Sequence, residues 1–138
     1  MVNTNVSSSW TSNSPTYHRP NGSRCSYYGT FDLSVPKSGF YSISGNSAID
    51  TYGYLYSGCF IPTSPDSNLL NSDDDSGGNG QFRLVMYLEP DVLYILVTTT
   101  YAGDDIGPYT VIVSGSTEVN LVQTNNGSTS NSTTQTSK

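Results

Sequence analysis

The sequence predicts an all-β protein, an antiparallel β-sandwich of jelly-roll type with six to seven strands. Apolar and polar residues alternate in several short segments, as expected for strands with one buried face, and turn residues separate these segments at steady intervals. No segment shows a helical period. The 138 residues include 11 tyrosines and seven prolines, a composition typical of β-structure with many turns. An up-and-down barrel is the structural alternative.

The first half of the predicted fold comprises three strands. Their apolar positions are, in order, Phe31, Leu33 and Val35, then Tyr41 and Ile43, and then Ile49, Gly53 and Leu55. The turns between them lie at 36–39 and 45–46, where proline, glycine and asparagine favour chain reversal. A long loop rich in turn residues is predicted from Ser57 to Gly80.

The second half begins with a strand at 82–88, in which every second residue is apolar. Residues 93–101 are apolar on both faces at first, which predicts a central strand. The last strands are predicted at 109–114 and, as an edge strand, at 119–121.

Composition divides the chain into three parts. Residues 25–122 form the predicted sandwich and carry all 11 acidic residues, whereas residues 1–24 form a polar extended arm without an acid. Trp10 and Tyr17 are the candidate anchors of this arm. Its basic residues either dock on an acidic body or reflect chance in a polar leader. Residues 123–138 form a linker or tail rich in Ser, Thr and Asn, a composition typical of flexible linkers.

The sequence predicts a secreted, extracellular protein, although its first residues lack the basic and apolar regions of a signal peptide. The even number of cysteines and the polar tail favour secretion, and so do four N-x-[ST] sequons. The sequons lie outside the predicted strands, at Asn5, Asn21, Asn126 and Asn131. We therefore expect a mature secreted glycoprotein or one module of a longer protein.

The two cysteines are predicted to form a disulfide bridge. A bond between Cys25 and Cys59 would close a loop of roughly 35 residues and add about 3–4 kcal/mol by the chain-entropy estimate. Two buried free thiols are the alternative. A metal site built from two cysteines and one histidine is disfavoured, because the spacing matches no zinc pattern.

Charge and residue usage argue against three classes of function. Five Lys and Arg residues and a net charge of −6 leave no basic patch for a nucleic acid. No apolar run approaches the roughly 18 residues of a membrane span. An enzyme is not indicated, because the only histidine, His18, lies in the arm and no G-x-S-x-G motif is present.

Six motifs between residues 27 and 115 occur in an order and spacing that resemble those of a known module. They are Phe31-Asp-Leu-Ser-Val35, Ser38-Gly-Phe-Tyr-Ser-Ile43, Asp50-Thr-Tyr-Gly-Tyr-Leu-Tyr56, Asp73-Asp-Asp-Ser-Gly-Gly-Asn79, Leu88-Glu-Pro-Asp-Val-Leu-Tyr-Ile-Leu-Val97 and Gly107-Pro-Tyr-Thr-Val-Ile-Val-Ser-Gly115. The chain thereby resembles the bacterial pre-peptidase C-terminal domain and similar modules repeated in large secreted proteins. The resemblance implies a non-catalytic jelly roll for adhesion, secretion or substrate targeting; some such modules bind calcium and some bind matrix.

The acidic loop is a candidate calcium site. Asp73, Asp75 and Asn79 supply alternate oxygen ligands on a glycine-rich turn, which suits a hard cation such as Ca²⁺. The loop is not an EF-hand, because Leu84 stands where the bidentate glutamate should fall. A looser site would also draw on Asp50, Asp104 or Asp105. The alternative is a solvated turn that keeps one end of a sheet soluble.

Tyr52, Tyr54 and Tyr56 form an aromatic stripe on one face of a predicted strand. If exposed, such rings beside Asp and Asn residues would bind sugar rings or another protein. The alternative is a half-buried core, in which the rings fill space and direct their hydroxyls outward.

Two functions are consistent with these features. The first is a non-enzymatic extracellular structural or adhesive module, a repeat or a self-assembling, filament-like subunit whose partners are other copies of itself. Neighbouring modules of a longer chain are the alternative partners. A polar extended segment can add to an open sheet edge by main-chain hydrogen bonds, and head-to-tail contacts of this kind build filaments. The second is a calcium-assisted module that binds carbohydrate or extracellular matrix. Ca²⁺ is the only cofactor that the sequence indicates.

Overall fold

The computed structural model describes residues 1–20, 25–102 and 105–124. The ten strands in these ranges are β1 (Val2–Trp10), β2 (Thr16–His18), β3 (Cys25–Ser34), β4 (Gly39–Asn46), β5 (Thr51–Ser57), β6 (Leu69–Asp73), β7 (Arg83–Leu88), β8 (Tyr94–Thr100), β9 (Gly107–Gly115) and β10 (Asn120–Thr124). The same ranges contain no helix with the length and apolarity that a membrane crossing requires.

The strands form two antiparallel sheets that pack against each other, which confirms the predicted β-sandwich. One sheet has the order β1-β9-β4-β7; the other has the order β10-β3-β8-β5-β6, with β2 added beside β3. Four neighbouring pairs are nested in sequence: β1 with β9, β3 with β8, β4 with β7 and β5 with β6. A long antiparallel hairpin that is rolled up produces this nesting, so the topology is that of a jelly roll. As predicted, β8 is a central strand.

Ten strands are present rather than six to seven, and three of them fall where no strand was predicted. β1 and β2 lie within residues 1–24, which the sequence analysis interprets as a polar arm, and β6 lies in the predicted loop 57–80. β1 pairs with β9 along its whole length. Its buried residues include Thr4 as well as Val6, so a polar side chain masks the alternation that marks a strand.

The main core lies between the two sheets. Its largest fully buried side chains are Trp10, Phe31, Tyr41 and Phe82, together with Leu33, Ile43, Leu55, Leu84, Leu88 and Leu96. Trp10, a predicted anchor, stacks on Tyr109 with ring centroids 3.9 Å apart. Its indole N–H donates to the Thr98 carbonyl at 3.2 Å. Trp10 therefore connects the end of β1 to β8 in the opposite sheet.

The two outer faces of the sandwich differ. The outer face of the six-stranded sheet carries a second apolar cluster, made of Tyr17, Tyr28, Tyr54, Tyr56, Ile95 and Val97. Phe60 of the loop after β5 packs against this cluster, where its ring meets those of Tyr17 and Tyr56. The outer face of the four-stranded sheet has no such cover among the residues that the structure describes.

Candidate interaction surfaces

Residues 15–20 extend the six-stranded sheet beside β3 and place Tyr17 and Arg19 against its outer face. β2 pairs with the first residues of β3, and the Pro15 carbonyl accepts a hydrogen bond from the Tyr28 amide at 3.0 Å. Tyr17, the second predicted anchor, is buried, and its ring meets those of Tyr28 and Phe60 edge to face. Main-chain bonds and an aromatic cluster thus hold this segment together.

The predicted tyrosine stripe lies beneath the chain rather than in solvent. Tyr54 and Tyr56 are fully buried, and their hydroxyls donate to the carbonyls of Pro20 at 2.9 Å and Pro65 at 2.6 Å. Burial raises the pKa of both hydroxyls. Tyr52 is half-buried, and its ring stacks on that of Tyr54. The stripe therefore forms a core, which is the alternative that the sequence left open.

Arg19 is buried just after β2, and no carboxylate in the described ranges forms an ion pair with it. Its guanidinium donates to the Tyr54 hydroxyl at 3.3 Å and to the Tyr101 carbonyl at 3.1 Å. It also lies 4.7 Å from the centroid of the Tyr52 ring and 5.3 Å from that of Tyr101. Aromatic faces attract a cation at such distances. The tyrosines thus bind a cation that the chain itself supplies.

The acidic loop connects β6 to β7 through several hydrogen-bonded turns. The Asp73 carboxylate accepts hydrogen bonds from the Ser76 amide and hydroxyl, at 2.8 and 2.7 Å, and from the Arg83 amide at 2.9 Å. The other two predicted ligands, Asp75 and Asn79, are exposed. Across the described ranges, no three His, Cys, Asp or Glu residues are grouped so that they could hold a metal ion. Asp73 therefore acts as a cap for the turn.

Asp50 and Asp74 form a carboxyl pair beside this turn. The two carboxyls lie close enough to interact electrostatically. Partial burial raises the pKa of both groups, and the negative charge of nearby aspartates raises it further. Arg19 acts in the opposite direction on the pKa of Asp74. One oxygen of Asp74, Oδ1, is buried without a hydrogen-bond partner among the described residues.

The two cysteines do not form the predicted bridge. Both are free and exposed in the structure. They lie near opposite ends of β8. Tyr28, three residues after Cys25, pairs with Thr99, whereas the amide of Gly58, next to Cys59, donates to the carbonyl of Leu93. An extended strand covers about 20 Å between those two positions. The α-carbons of a disulfide lie only about 6 Å apart.

Among the four sequons, Asn5 lies in the described part of the chain. It belongs to β1, so the prediction that it lies outside the strands is wrong. Its side chain is exposed on the outer face of the four-stranded sheet, where a glycan has room. Asn21, Asn126 and Asn131 lie outside the described residues, as does the tail at 125–138.

The outer face of the four-stranded sheet carries an apolar patch at its edge. Phe40, Val85 and Tyr87 are 70%, 50% and 52% exposed, and these three residues are referred to below as the edge patch. Phe40 and Tyr87 are cross-strand partners, with ring centroids 5.2 Å apart. Arg83 lies on the same side of β7, and its Nε donates to the Ser42 hydroxyl at 3.1 Å.

The four strands that form this sheet contain no aspartate or glutamate, although the protein has 11 acidic residues. Arg83 is the only charged residue in them. The edge patch is not among the predicted site residues. The sequence does contain a signal for it. Phe40, Val85 and Tyr87 alternate with the core residues of β4 and β7, so they occupy positions where an exposed strand face usually carries polar residues.

Comparison with known proteins does not identify a family for this chain. No family model matches this chain, and no curated protein and no solved structure is significantly similar to it. The resemblance to the pre-peptidase C-terminal domain therefore stays a prediction, and the geometry of the surfaces carries the functional argument.

Proposed function

We propose that this protein is a non-enzymatic structural or adhesive module of the extracellular space, and that it works by associating with other copies of itself. The edge patch carries the proposal. Single exposed apolar residues are common on any surface, but large ones gathered on an uncovered sheet are typical of interaction sites. The extracellular location rests on the sequons, of which Asn5 is exposed.

The contrast between the two outer faces supports this function. Tyr17, Arg19 and Phe60 cover the aromatic face of the six-stranded sheet, whereas no residue that the structure describes covers the edge patch. The net charge of −6 opposes association in general, because like-charged molecules repel each other. The strands of the four-stranded sheet contain no acidic residue, which limits that repulsion at this face.

Sedimentation velocity over a concentration series tests the proposal. We expect the sedimentation coefficient of the wild type to rise with concentration, and that of Phe40→Ser/Tyr87→Ser to stay at the monomer value. The matched control is Leu93→Ser/Ile106→Ser, which removes two exposed apolar residues outside the patch and should associate like the wild type. A wild type that stays monomeric, or a patch variant that associates normally, would contradict the proposal.

A second candidate function is the calcium-assisted binding of carbohydrate or matrix. The observation that favours it is the unpartnered Oδ1 of Asp74 beside Asp50, because a hard cation would stabilise two partly desolvated carboxylates. Calorimetric titration with Ca²⁺ is the test. Binding heat and a higher melting temperature that both disappear in Asp74→Asn would support this function, and the absence of heat in the wild type would dismiss it.

A further inference from the structure

We infer that two copies of this chain pair side by side through β7, antiparallel, about a two-fold axis beside Met86. The inference rests on the proposed function and deepens it, because it specifies the strand, the register and the contacts of the self-association. Three features of β7 support it: free main-chain groups, charges that match across the axis, and apolar side chains that the pairing would bury.

The side of β7 that faces away from β4 carries free main-chain groups. The Phe82 carbonyl bonds to β4, whereas the Arg83 amide points the other way, to the Asp73 carboxylate. Because successive residues in a strand direct their main-chain groups to alternate sides, those of Val85 and Tyr87 also point away from β4. No strand pairs with this edge, and no hydrogen bond within the described ranges occupies these groups.

The residues at either end of β7 define the register. The amides of Arg83 and Glu89 are already bonded within the chain, so Val85 and Tyr87 are the residues whose amide and carbonyl are both free. When Val85 of each copy lies opposite Tyr87 of the other, every one of these groups finds a partner, and Met86 lies on the axis. If the register shifted by two residues, either Tyr87 would lie opposite Arg83 or Val85 would lie opposite Glu89, and the amides of Arg83 and Glu89 are already bonded.

The same register places opposite charges across from each other. Arg83 lies opposite Glu89 of the second copy, and symmetry repeats this pair. Both residues are exposed. Glu89 directly follows Leu88, the last residue of β7, so a backbone that stays extended through this position would place its side chain on the same side as that of Arg83. No described carboxylate forms an ion pair with Arg83 within its own chain; its Nε bonds to Ser42, and the rest of the guanidinium is available.

The pairing also buries the edge patch. Val85 of each copy would lie beside Tyr87 of the other, and Phe40 already packs on Tyr87 from β4. The two sheets would then form one continuous sheet, with an apolar strip across the axis. The opposite edge strand, β1, offers no such strip, because its exposed residues on this face are Asn3, Asn5, Ser7 and Ser9.

Charge reversal tests the register. Arg83→Glu or Glu89→Arg alone places like charges opposite each other twice, so we expect the dimer dissociation constant to rise roughly tenfold at low salt. The double variant Arg83→Glu/Glu89→Arg restores opposite charges and should dimerise like the wild type. Asp66→Arg also replaces an acidic residue by arginine, but in an exposed loop outside the pairing, and it should leave the dissociation constant unchanged. Single variants with unchanged affinity, or a double variant as weak as the singles, would overturn the register.

A cysteine cross-link tests the position of the axis. In a Cys25→Ser/Cys59→Ser background, Met86→Cys would face itself across the axis, with α-carbons about 4.5 Å apart, which is within disulfide range. Ser44→Cys, on β4 of the same sheet, is the control. We expect mild oxidation to link Met86→Cys into dimers and to leave Ser44→Cys monomeric. No dimer from Met86→Cys, or equal amounts from both, would count against the axis.

The inference and the proposed function fail in different ways. If Phe40→Ser/Tyr87→Ser abolishes association while charge reversal and cross-linking show no effect, the edge patch associates in another geometry, and the pairing through β7 is overturned. If the wild type stays monomeric in every experiment, both are overturned.

Discussion

Two large aromatic rings of the core pack directly on glycine backbone. The Phe82 ring is fully buried and lies over Gly45 and Gly53, so that a Cβ at Gly53 would overlap the ring. A Cβ at Gly115 would overlap the ring of Tyr41 in the same way. Glycine is thus required at these positions for space rather than for turn geometry.

The variant Gly53→Ala should lower the free energy of unfolding by about 1–3 kcal/mol, the usual cost of overpacking a core. Gly39→Ala is the matched control, because a Cβ there meets no atom within 4 Å. The control should be neutral or stabilising by up to about 1 kcal/mol, through a less flexible unfolded chain. Urea denaturation measures both, and equal effects of the two variants would contradict the packing argument.

Asp50 and Asp74 should give stability a characteristic pH dependence. Burial, and then nearby negative charge, raises the pKa of both carboxyls. An acid with a raised pKa holds its proton more tightly in the folded than in the unfolded chain. Ionisation of the pair therefore lowers stability above the folded pKa, and this cost disappears as the pH falls toward the unfolded value of about 4.

We expect Asp50→Asn to raise the melting temperature at pH 7 and to change it little near pH 4. Asp91→Asn, in the exposed turn after β7, serves as the control and should behave alike at both pH values. Thermal unfolding followed by circular dichroism gives the comparison. If Asp50→Asn shifts the melting temperature equally at both pH values, the pair does not act in this way.

At the scale of the elements, the sequence predicts the strands in which large apolar residues alternate and misses the others. β8 is central because both of its faces are apolar. β1 escapes prediction because a polar residue, Thr4, occupies one of its buried positions. β2 is short, and it forms where Tyr17 and Arg19 have an aromatic face to pack on. Such a tertiary condition does not appear in a local pattern.

Arg19 should determine how firmly β2 is attached. Arg19→Met keeps the apolar stem but loses the hydrogen bonds and cation–π contacts, a cost of about 1–3 kcal/mol. Arg19→Lys should not rescue it, because an ammonium lacks the planar fork of donors. We expect faster hydrogen exchange at the Tyr28 amide, which bonds to Pro15. Arg83→Met is the control, and unchanged Tyr28 protection in Arg19→Met would refute this role.

At the scale of the whole molecule, the sequence predicts the jelly roll but not which outer face the chain covers. The tyrosine stripe and the edge patch look alike in sequence, since each places aromatic residues on one side of a strand. They differ because residues 15–20 and Phe60 return over the stripe. This cover depends on the path of the chain around the sandwich, which a local sequence pattern does not contain. For that reason the tyrosine stripe was predicted as a binding surface and is core, whereas the edge patch was not predicted and is exposed.

The most direct measurement of association through β7 is amide hydrogen exchange, resolved by residue, in dilute and concentrated protein. The account predicts that the Val85 and Tyr87 amides exchange more slowly as concentration rises, because the second copy bonds to them. The Tyr28 amide, bonded within the chain, should exchange at one rate throughout. Exchange at Val85 and Tyr87 that is independent of concentration would contradict the account.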